Sequence, residues 1–219
     1  MTRTRTLCLA ALFAGLAANP SAGQISVGVK AGASLSDLVF AGIEINDREL
    51  RQGLVVGTAL TLPVSGRLGL QLEGSFAQRG ATLTFIQLGD VGYALDYVQL
   101  SVLGRASLPL GGSGSSLFLL AGPVIAWETS CEATVTLVLP GTTETATCDD
   151  ERLNTPSKPV DFGVAGGAGV QLALAEAMHL SLDLLYTHGV RSIYAGELDR
   201  TTHNRATSVQ AGLVFPMGR

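Results

Sequence analysis

The chain has 219 residues, of which 14 are Lys or Arg and 18 are Asp or Glu, so its formal net charge is -4 at pH 7. Only 15% of the residues are charged, against about 25% in an average soluble domain, and the mean hydropathy is +0.36. This composition excludes a disordered chain, which needs low hydrophobicity and high charge, and a nucleic-acid binder, which needs a basic face. The length suits one or two domains.

Residues 1–23 have the pattern of a secretory signal peptide. Arg3 and Arg5 form a basic start, Leu7–Ala18 is apolar, and Ser21–Gly23 supplies the small residues of a cleavage site. The apolar stretch is shorter than the roughly 20 residues that a membrane-spanning helix needs, so we expect cleavage after Gly23 rather than an uncleaved anchor. The mature domain is then residues 24–219, and the signal peptide directs its export.

Two cysteines remain after this cleavage. Cys8 leaves with the signal peptide, whereas Cys131 and Cys148 stay and flank a polar, Thr-rich segment. Export places them in an oxidising compartment, where an even pair of this kind is typical of a disulfide. No further ligands are spaced for a metal beside them, so we predict a disulfide that closes one loop and no metal site.

The mature chain repeats a period-2 alternation, which indicates strands with two different faces. In Met178–Thr187, for example, Leu182 and Leu184 fall on one face and Ser181 and Asp183 on the other. The predicted strands exceed the average globular strand of about 5 or 6 residues and reach the roughly 9 to 11 that a membrane strand needs. The eight predicted strands are Ile25–Leu35, Gly53–Leu62, Leu68–Phe76, Tyr97–Leu108, Leu117–Glu128, Val160–Leu174, Met178–Thr187 and Ser208–Phe215.

The connections between these strands alternate between short and long. This alternation is typical of an up-and-down barrel in the outer membrane, in which short turns are periplasmic and long loops extracellular. Closure leaves no strand edge without a partner in hydrocarbon. We therefore predict an all-β fold, an eight-stranded antiparallel up-and-down transmembrane β-barrel. The short connections are Pro63–Gly66, Gly111–Ser116 and Ala175–Ala177, and the long ones are Ser36–Gln52, Gly80–Gly92, Thr129–Pro159 and Val190–Arg205.

A membrane helix over Ala106–Trp127 is the competing interpretation, because this segment has no charged residue. Pro109 and the Gly111–Ser116 run interrupt it, however, and Leu117–Trp127 alone is too short to span a bilayer as a helix. The segment is therefore predicted to be a turn followed by a strand.

An ordered series of motifs resembles the small outer-membrane β-barrel family that includes PorT-like proteins. The resemblance spans the whole mature chain and implies the barrel fold, a bacterial outer-membrane location and a part in envelope assembly or secretion. The segments that carry it are Gly28–Ser36, Leu68–Glu73, Asp96–Leu100, Phe118–Pro123, Phe162–Val170 and Leu184–Gly189.

Four charged residues fall within strands on the inferred polar face: Lys30, Glu73, Arg105 and Asp183. An eight-stranded barrel has an interior just wide enough for side chains to fill, and an unpaired charge there is costly. We therefore expect the two cations and two anions to face inward and neutralise each other. The alternative is a narrow polar path for small ions or solutes between them.

The predicted role is that of a structural or interaction protein of the PorT-like type, without catalytic activity and without a cofactor. Its expected partners are outer-membrane lipid and proteins that bind the extracellular loops, and not nucleic acid. A narrow porin-like channel is the first alternative.

Two further alternatives remain. A lipid-modifying enzyme would need a Ser and a His in contact. His179, Ser181 and Asp183 share one strand face, but positions i and i+2 lie about 6.6 to 6.8 Å apart along a strand. A soluble lipocalin-like barrel would reverse the faces, placing Leu182 and Leu184 inside and the strand charges in water.

Overall fold

The computed structural model describes residues 24–40, 47–85, 89–111, 114–137, 141–148, 150, 158–175, 177–193 and 202–217. The predicted signal peptide, residues 1–23, lies outside the described residues. Within these ranges no helix is both long enough and apolar enough to cross a membrane.

The described residues form nine strands, and eight of them close into a ring. Neighbours in the ring are antiparallel in the order β4-β3-β2-β1-β9-β8-β7-β5, and β4 pairs with β5 to complete it. The remaining strand, β6, pairs with β5 beyond the ring. The predicted eight-stranded antiparallel barrel is confirmed. The strands are β1 (Ile25–Phe40), β2 (Asp47–Ser65), β3 (Leu68–Phe85), β4 (Gly89–Pro109), β5 (Ser116–Leu137), β6 (Thr143–Thr147), β7 (Val160–Ala175), β8 (Met178–Gly189) and β9 (Thr202–Met217).

The strands are longer than the sequence analysis expected. β4 has 21 residues and β5 has 22, whereas β8 has 12. All four predicted long loops are wrong in part, because β1 and β2 extend into Ser36–Gln52 and β9 begins within Val190–Arg205. Most of Gly80–Gly92 belongs to β3 and β4, and Thr129–Pro159 contains the end of β5 and all of β6. We call the end of the barrel that carries these extensions the long-loop end, and the other the short-turn end.

An apolar stripe follows the outer face of each ring strand. On β4 it runs from Val98 to Leu108, and on β5 from Leu117 to Trp127, with these end residues 41–52% exposed. On β8, Leu184 is 54% exposed while its neighbours Asp183 and Leu185 are buried. Each stripe covers about the 9 to 11 residues that a membrane strand needs. This orientation is the reverse of a lipocalin-like barrel, so that alternative is wrong.

The chemical character of the two strand faces changes where the stripe ends, although the same alternate positions continue to point inward. Within the stripe of β4, Val98 and Leu100 point outward and Gln99 is buried. Beyond it, Leu95 is buried and Asp90 points outward. β3 behaves in the same way, with buried Ala81 and Leu83 alternating with outward Thr82 and Thr84. In the membrane-sized band the interior therefore holds the inward charges beside a buried apolar cluster, whereas apolar side chains fill the interior of β3 and β4 beyond it. The cluster consists of Leu103, Phe118, Leu120, Val124, Ala165 and Leu185.

Candidate functional site

Three of the four predicted strand charges meet in the centre of the barrel. The Lys30 Nζ atom donates to Glu73 Oε1 at 2.5 Å and to Asp183 Oδ2 at 2.6 Å. Lys30 lies on β1, whereas its two partners lie on β3 and β8, neither of which pairs with β1. Bonds between strands that are not neighbours must cross the interior, so these side chains span the lumen.

Amide and hydroxyl groups extend this ion-pair centre toward the short-turn end. Gln71 Nε2 donates to Glu73 Oε1 at 2.5 Å, and Ser181 Oγ donates to Asp183 Oδ1 at 2.5 Å. The fourth charged residue, Arg105, is linked to this centre through Gln71, because its Nη1 atom donates a hydrogen bond to Gln71 Oε1 at 2.7 Å. We call the whole set the ionic plug; its members are Lys30, Gln71, Glu73, Arg105, Gln171, Ser181 and Asp183.

The ionic plug is electrically neutral, and its charged members are buried. Its four charged members are at most 8% exposed, and the two cations match the two anions. The Arg105 Nη2 atom also donates a hydrogen bond to Gln171 Oε1 at 2.9 Å, and this bond links β4 to β7 across the intervening strand β5. An ion pair withdrawn from water is tolerated when its remaining donors and acceptors are satisfied, as they are here.

Glycines make room for the largest members of this interior. The Arg105 guanidinium stacks on the Phe118 ring at 3.7 Å from the centroid. That ring lies across Gly169 of β7, where a Cβ atom would collide with the ring carbons. Gly212 of β9 has the same role for Lys30, because a Cβ there would lie 2.6 Å from Lys30 Cγ. The packing therefore depends on small residues facing the charged ones.

A second polar layer lies toward the long-loop end. Arg79 Nη2 donates to Gln99 Oε1 at 2.5 Å, and its guanidinium lies 5.5 Å from the Tyr97 ring centroid. Asn204 Nδ2 donates both to the Tyr97 hydroxyl at 3.1 Å and to Asp161 Oδ2 at 2.9 Å. All five side chains are buried, and they link β3, β4, β7 and β9 across the lumen.

Apolar side chains cover this layer at the long-loop end. We call them the apolar cap: Leu38, Ala81, Leu95, Tyr97, Ala126 and Ile193, each at most 5% exposed. Tyr93 and Cys131 pack against the cap. Tyr93 therefore contributes to the interior, whereas Trp127 and Tyr186 lie exposed on the outer surface.

The disulfide belongs to a hairpin beside the cap. Cys131 on β5 is bonded to Cys148, which follows β6 and is 2% exposed. On the outer face of this hairpin, Thr134 is hydrogen-bonded to Thr145 at 3.0 Å, and Thr136 to Thr143 at 3.3 Å. The cysteines thus join two paired strands rather than closing an irregular loop.

The residues weighed for catalysis do not form a relay. Ser181 donates to Asp183 inside the ionic plug, and the described residues show no hydrogen bond between Ser181 and a histidine. Within the described ranges, no group of three or more His, Cys, Asp or Glu side chains is arranged to hold a metal ion.

The family follows from the sequence match taken together with this barrel. Residues 16–195 match the family described as outer membrane protein beta-barrel domain. The chain belongs to this family. Membership places the protein in the bacterial outer membrane and confirms the resemblance of the motifs to small outer-membrane barrels. The match does not test the resemblance to PorT-like proteins in particular. No curated protein matches the chain.

Solved structures of small outer-membrane barrels resemble it in fold. OprG from Pseudomonas aeruginosa is 12% identical, with a TM-score of 0.55 over 90% of this chain and 97% of that chain. Neisserial surface protein A is also 12% identical, with a TM-score of 0.49 over 87% and 97% of the two chains. Ail of Yersinia pestis is 14% identical, with a TM-score of 0.42 over 88% and 100%.

Several members of the outer-membrane barrel's interior were missed by the sequence analysis. Gln71, Gln171 and Arg79 are uncharged or lie outside the predicted strands, and Phe118 was noted only as part of a motif. The sequence does contain one feature that points to Gln71. It lies two residues from Glu73 and therefore on the same face of the strand. Polar residues at i±2 of an inward charge are the natural candidates for its partners.

Proposed function

We propose that the protein is a closed outer-membrane barrel that works as a structural or interaction protein, with its long-loop end outside the cell. It is neither a pore nor an enzyme in this proposal. The carrying observation is that bonded or packed side chains fill the lumen in three successive layers, namely the ionic plug, the Arg79–Asp161 polar layer and the apolar cap.

A channel would require a continuous wet path past Arg105 and Glu73. Gln71 bridges these two residues, and Lys30 closes the remaining width by binding the carboxylates of two opposite strands. Any ion that passed would first have to break buried charge-assisted hydrogen bonds, which are the strong class of hydrogen bond.

The part of the molecule that is free to bind partners is the projecting sheet, formed by β2 to β6 beyond the apolar stripe. β4 continues for Gly89–Tyr97 past its stripe, and β5 continues for Glu128–Leu137. At about 3.3 Å per residue, such extensions rise well clear of a bilayer. The disulfide and the paired threonines hold the outermost hairpin in one geometry, which favours recognition because less order must be gained on binding.

A part in envelope assembly or secretion is the finer form of this proposal. It is supported by the motif series shared with PorT-like proteins. Deletion of the gene should then lower the amount of one or more exported proteins at the cell surface, measured by mass spectrometry of surface-labelled proteins. Unchanged export would restrict the role to that of a structural component.

Conductance in planar lipid bilayers tests whether the barrel is closed. The wild-type protein should give no stable current steps. A reference porin in the same bilayers verifies that the assay detects an open barrel. The variant Lys30→Ala/Glu73→Ala/Asp183→Ala opens only the ionic plug and should also give no steps, because the Arg79–Asp161 polar layer and the apolar cap still close the lumen. Stable steps from the wild type, comparable with those of the porin, would support the channel instead.

Surface labelling tests the orientation. An epitope inserted after Gly141, between β5 and β6, should bind antibody on intact cells. The matched insertion after Gly66, in the turn between β2 and β3, should be labelled only after permeabilisation. The reverse result would place the projecting sheet in the periplasm and contradict the proposal.

A further inference from the structure

Aromatic and basic side chains gather on the outer surface of the barrel where the apolar stripes of β7, β8 and β9 end. We call this set the basic–aromatic patch; its members are Phe162, Tyr186, His188, Arg191, His203 and Arg205. Phe162, Tyr186, Arg191 and Arg205 are exposed, and the two histidines are half-buried.

The patch is held together by ring contacts. The Tyr186 and His188 rings are stacked with centroids 6.5 Å apart, and the His188 and His203 rings are stacked with centroids 6.2 Å apart. The Arg191 guanidinium lies over the Phe162 ring, 5.8 Å from its centroid. Arg205 stands directly opposite His188 in the strand register, so their side chains are neighbours.

The position of the patch relates it to the membrane surface. On β8 the outward residues Leu182 and Leu184 lead directly to Tyr186 and then to His188, and on β9 the stripe that ends at Val209 is followed by outward Thr207 and then Arg205. The guanidinium groups therefore lie at the level where hydrocarbon gives way to headgroups. Aromatic residues of outer-membrane barrels belong at this level.

Other strands of the ring carry different residues just beyond their apolar stripes. The first polar outward residues beyond the stripes of β2, β3 and β4 are Gln52, Gln78 and Asp96, none of them cationic. On β9 the first is Thr207 and the next outward residue is Arg205, and Arg191 lies just after the end of β8. These two exposed arginines are thus concentrated beside β8 and β9, which lie diametrically opposite β3 and β4 in the eight-membered ring. A uniform attraction to an anionic membrane would not require such a concentration.

We propose that the basic–aromatic patch binds the phosphate of an anionic lipid headgroup in the outer leaflet. Arg191 and Arg205 donate to the phosphate oxygens, which the planar guanidinium can do with two parallel hydrogen bonds. The rings of Phe162 and Tyr186 lie beside the acyl chains just below. Arg205 also stands opposite Asp37 of β1, and this carboxylate lowers the affinity for an anion.

The test uses the mature chain in detergent micelles, titrated with dioleoylphosphatidic acid and observed by native mass spectrometry, with dioleoylphosphatidylcholine as the uncharged reference. Each of the variants Arg191→Gln and Arg205→Gln should weaken phosphatidic acid binding roughly fivefold, which corresponds to about 1 kcal/mol for one basic residue at a negative lipid surface. Asp37→Asn should strengthen it severalfold.

Arg67→Gln is the matched control, because Arg67 is an exposed arginine in the turn between β2 and β3, at the opposite membrane surface. It should change binding by less than twofold. An equal loss in Arg67→Gln and Arg205→Gln would overturn the site and leave only general attraction to positive charge. Heat-modifiable mobility on SDS gels verifies that each variant is folded.

Two further results would also overturn the proposal. Inorganic phosphate that displaces phosphatidic acid at equal concentration would assign the patch to a soluble anion. Loss of a dimer in Arg191→Gln/Arg205→Gln, with lipid binding unchanged, would assign it to contact with the acidic outer surface of a second copy. Weakened phosphatidic acid binding that is confined to the patch variants supports the lipid site.

Discussion

The ionic plug and the apolar cap fill the same barrel by opposite means. The plug lies within the membrane-sized band, where the outer face is apolar and the inner face carries paired charges such as Lys30 and Glu73. The cap lies beyond that band, where Leu95 is buried and outward Thr82 and Thr134 meet water. A strand in lipid must place its polar residues inside, whereas a strand in water can bury its apolar ones. One continuous strand therefore changes its pattern at the membrane surface.

The largest expected effect lies in the ionic plug. Lys30→Met leaves two buried carboxylates, Glu73 and Asp183, without their cation, and breaking a buried pair in this way costs about 3–5 kcal/mol. The free energy of unfolding should fall by this amount, measured by urea titration of the protein in phosphatidylcholine vesicles with the fluorescence of Trp127, the single tryptophan.

The control for Lys30→Met removes one carboxylate as well, while keeping side-chain volume. Lys30→Met/Glu73→Gln should recover most of the lost stability, because the remaining charges of the plug, Arg105 and Asp183, balance each other. If the single and double variants are equally unstable, shape rather than charge balance holds the plug.

The apolar cap should respond to lost volume instead of lost charge. Leu95→Ala empties space beside Tyr97 and Ala126 and should lower the free energy of unfolding by roughly 3 kcal/mol, the usual cost of a truncated core leucine. Val98→Ala is its matched control, because Val98 lies three residues away and points outward with 47% exposure. The same urea titration should show less than 1 kcal/mol for the control, and equal losses would contradict an apolar core at this end.

The disulfide should stabilise the projecting hairpin without affecting the ring. It joins residues 17 positions apart, and the chain-entropy treatment gives about 3 kcal/mol for a loop of this size. In Cys131→Ser/Cys148→Ser the amides of Thr143–Thr147 should exchange with deuterium roughly a hundredfold faster. The amides of Leu180–Tyr186, in the ring, serve as the internal control, and faster exchange there as well would mean that the hairpin supports the whole barrel.

Sequence predicted the eight-stranded ring because period-2 alternation is strong wherever one face meets lipid, as in Met178–Thr187. The prediction of loops was wrong at Gly80–Gly92 and Thr129–Pro159. In these segments the apolar residues face inward, and the outward residues include threonine, glycine and acidic residues. The four strand charges were recognised from their parity alone. Gln71 and Phe118 were not recognised as partners of Arg105, because contacts between side chains of neighbouring strands depend on the strand register, which no local pattern encodes.

The smallest expected effect tests the close packing of the plug against the ring. In Gly212→Ala the new Cβ would lie 2.6 Å from Lys30 Cγ and 2.7 Å from the Val29 carbonyl oxygen, so the lysine stem must shift away from its carboxylates. Overpacking of this kind costs about 1–3 kcal/mol. Gly74→Ala is the control, since no atom lies within 4 Å of its Cβ position and its side chain would point outward. Urea titration should separate the two variants, and an unchanged stability in Gly212→Ala would mean that Lys30 reaches Glu73 and Asp183 by a path that does not pass over Gly212.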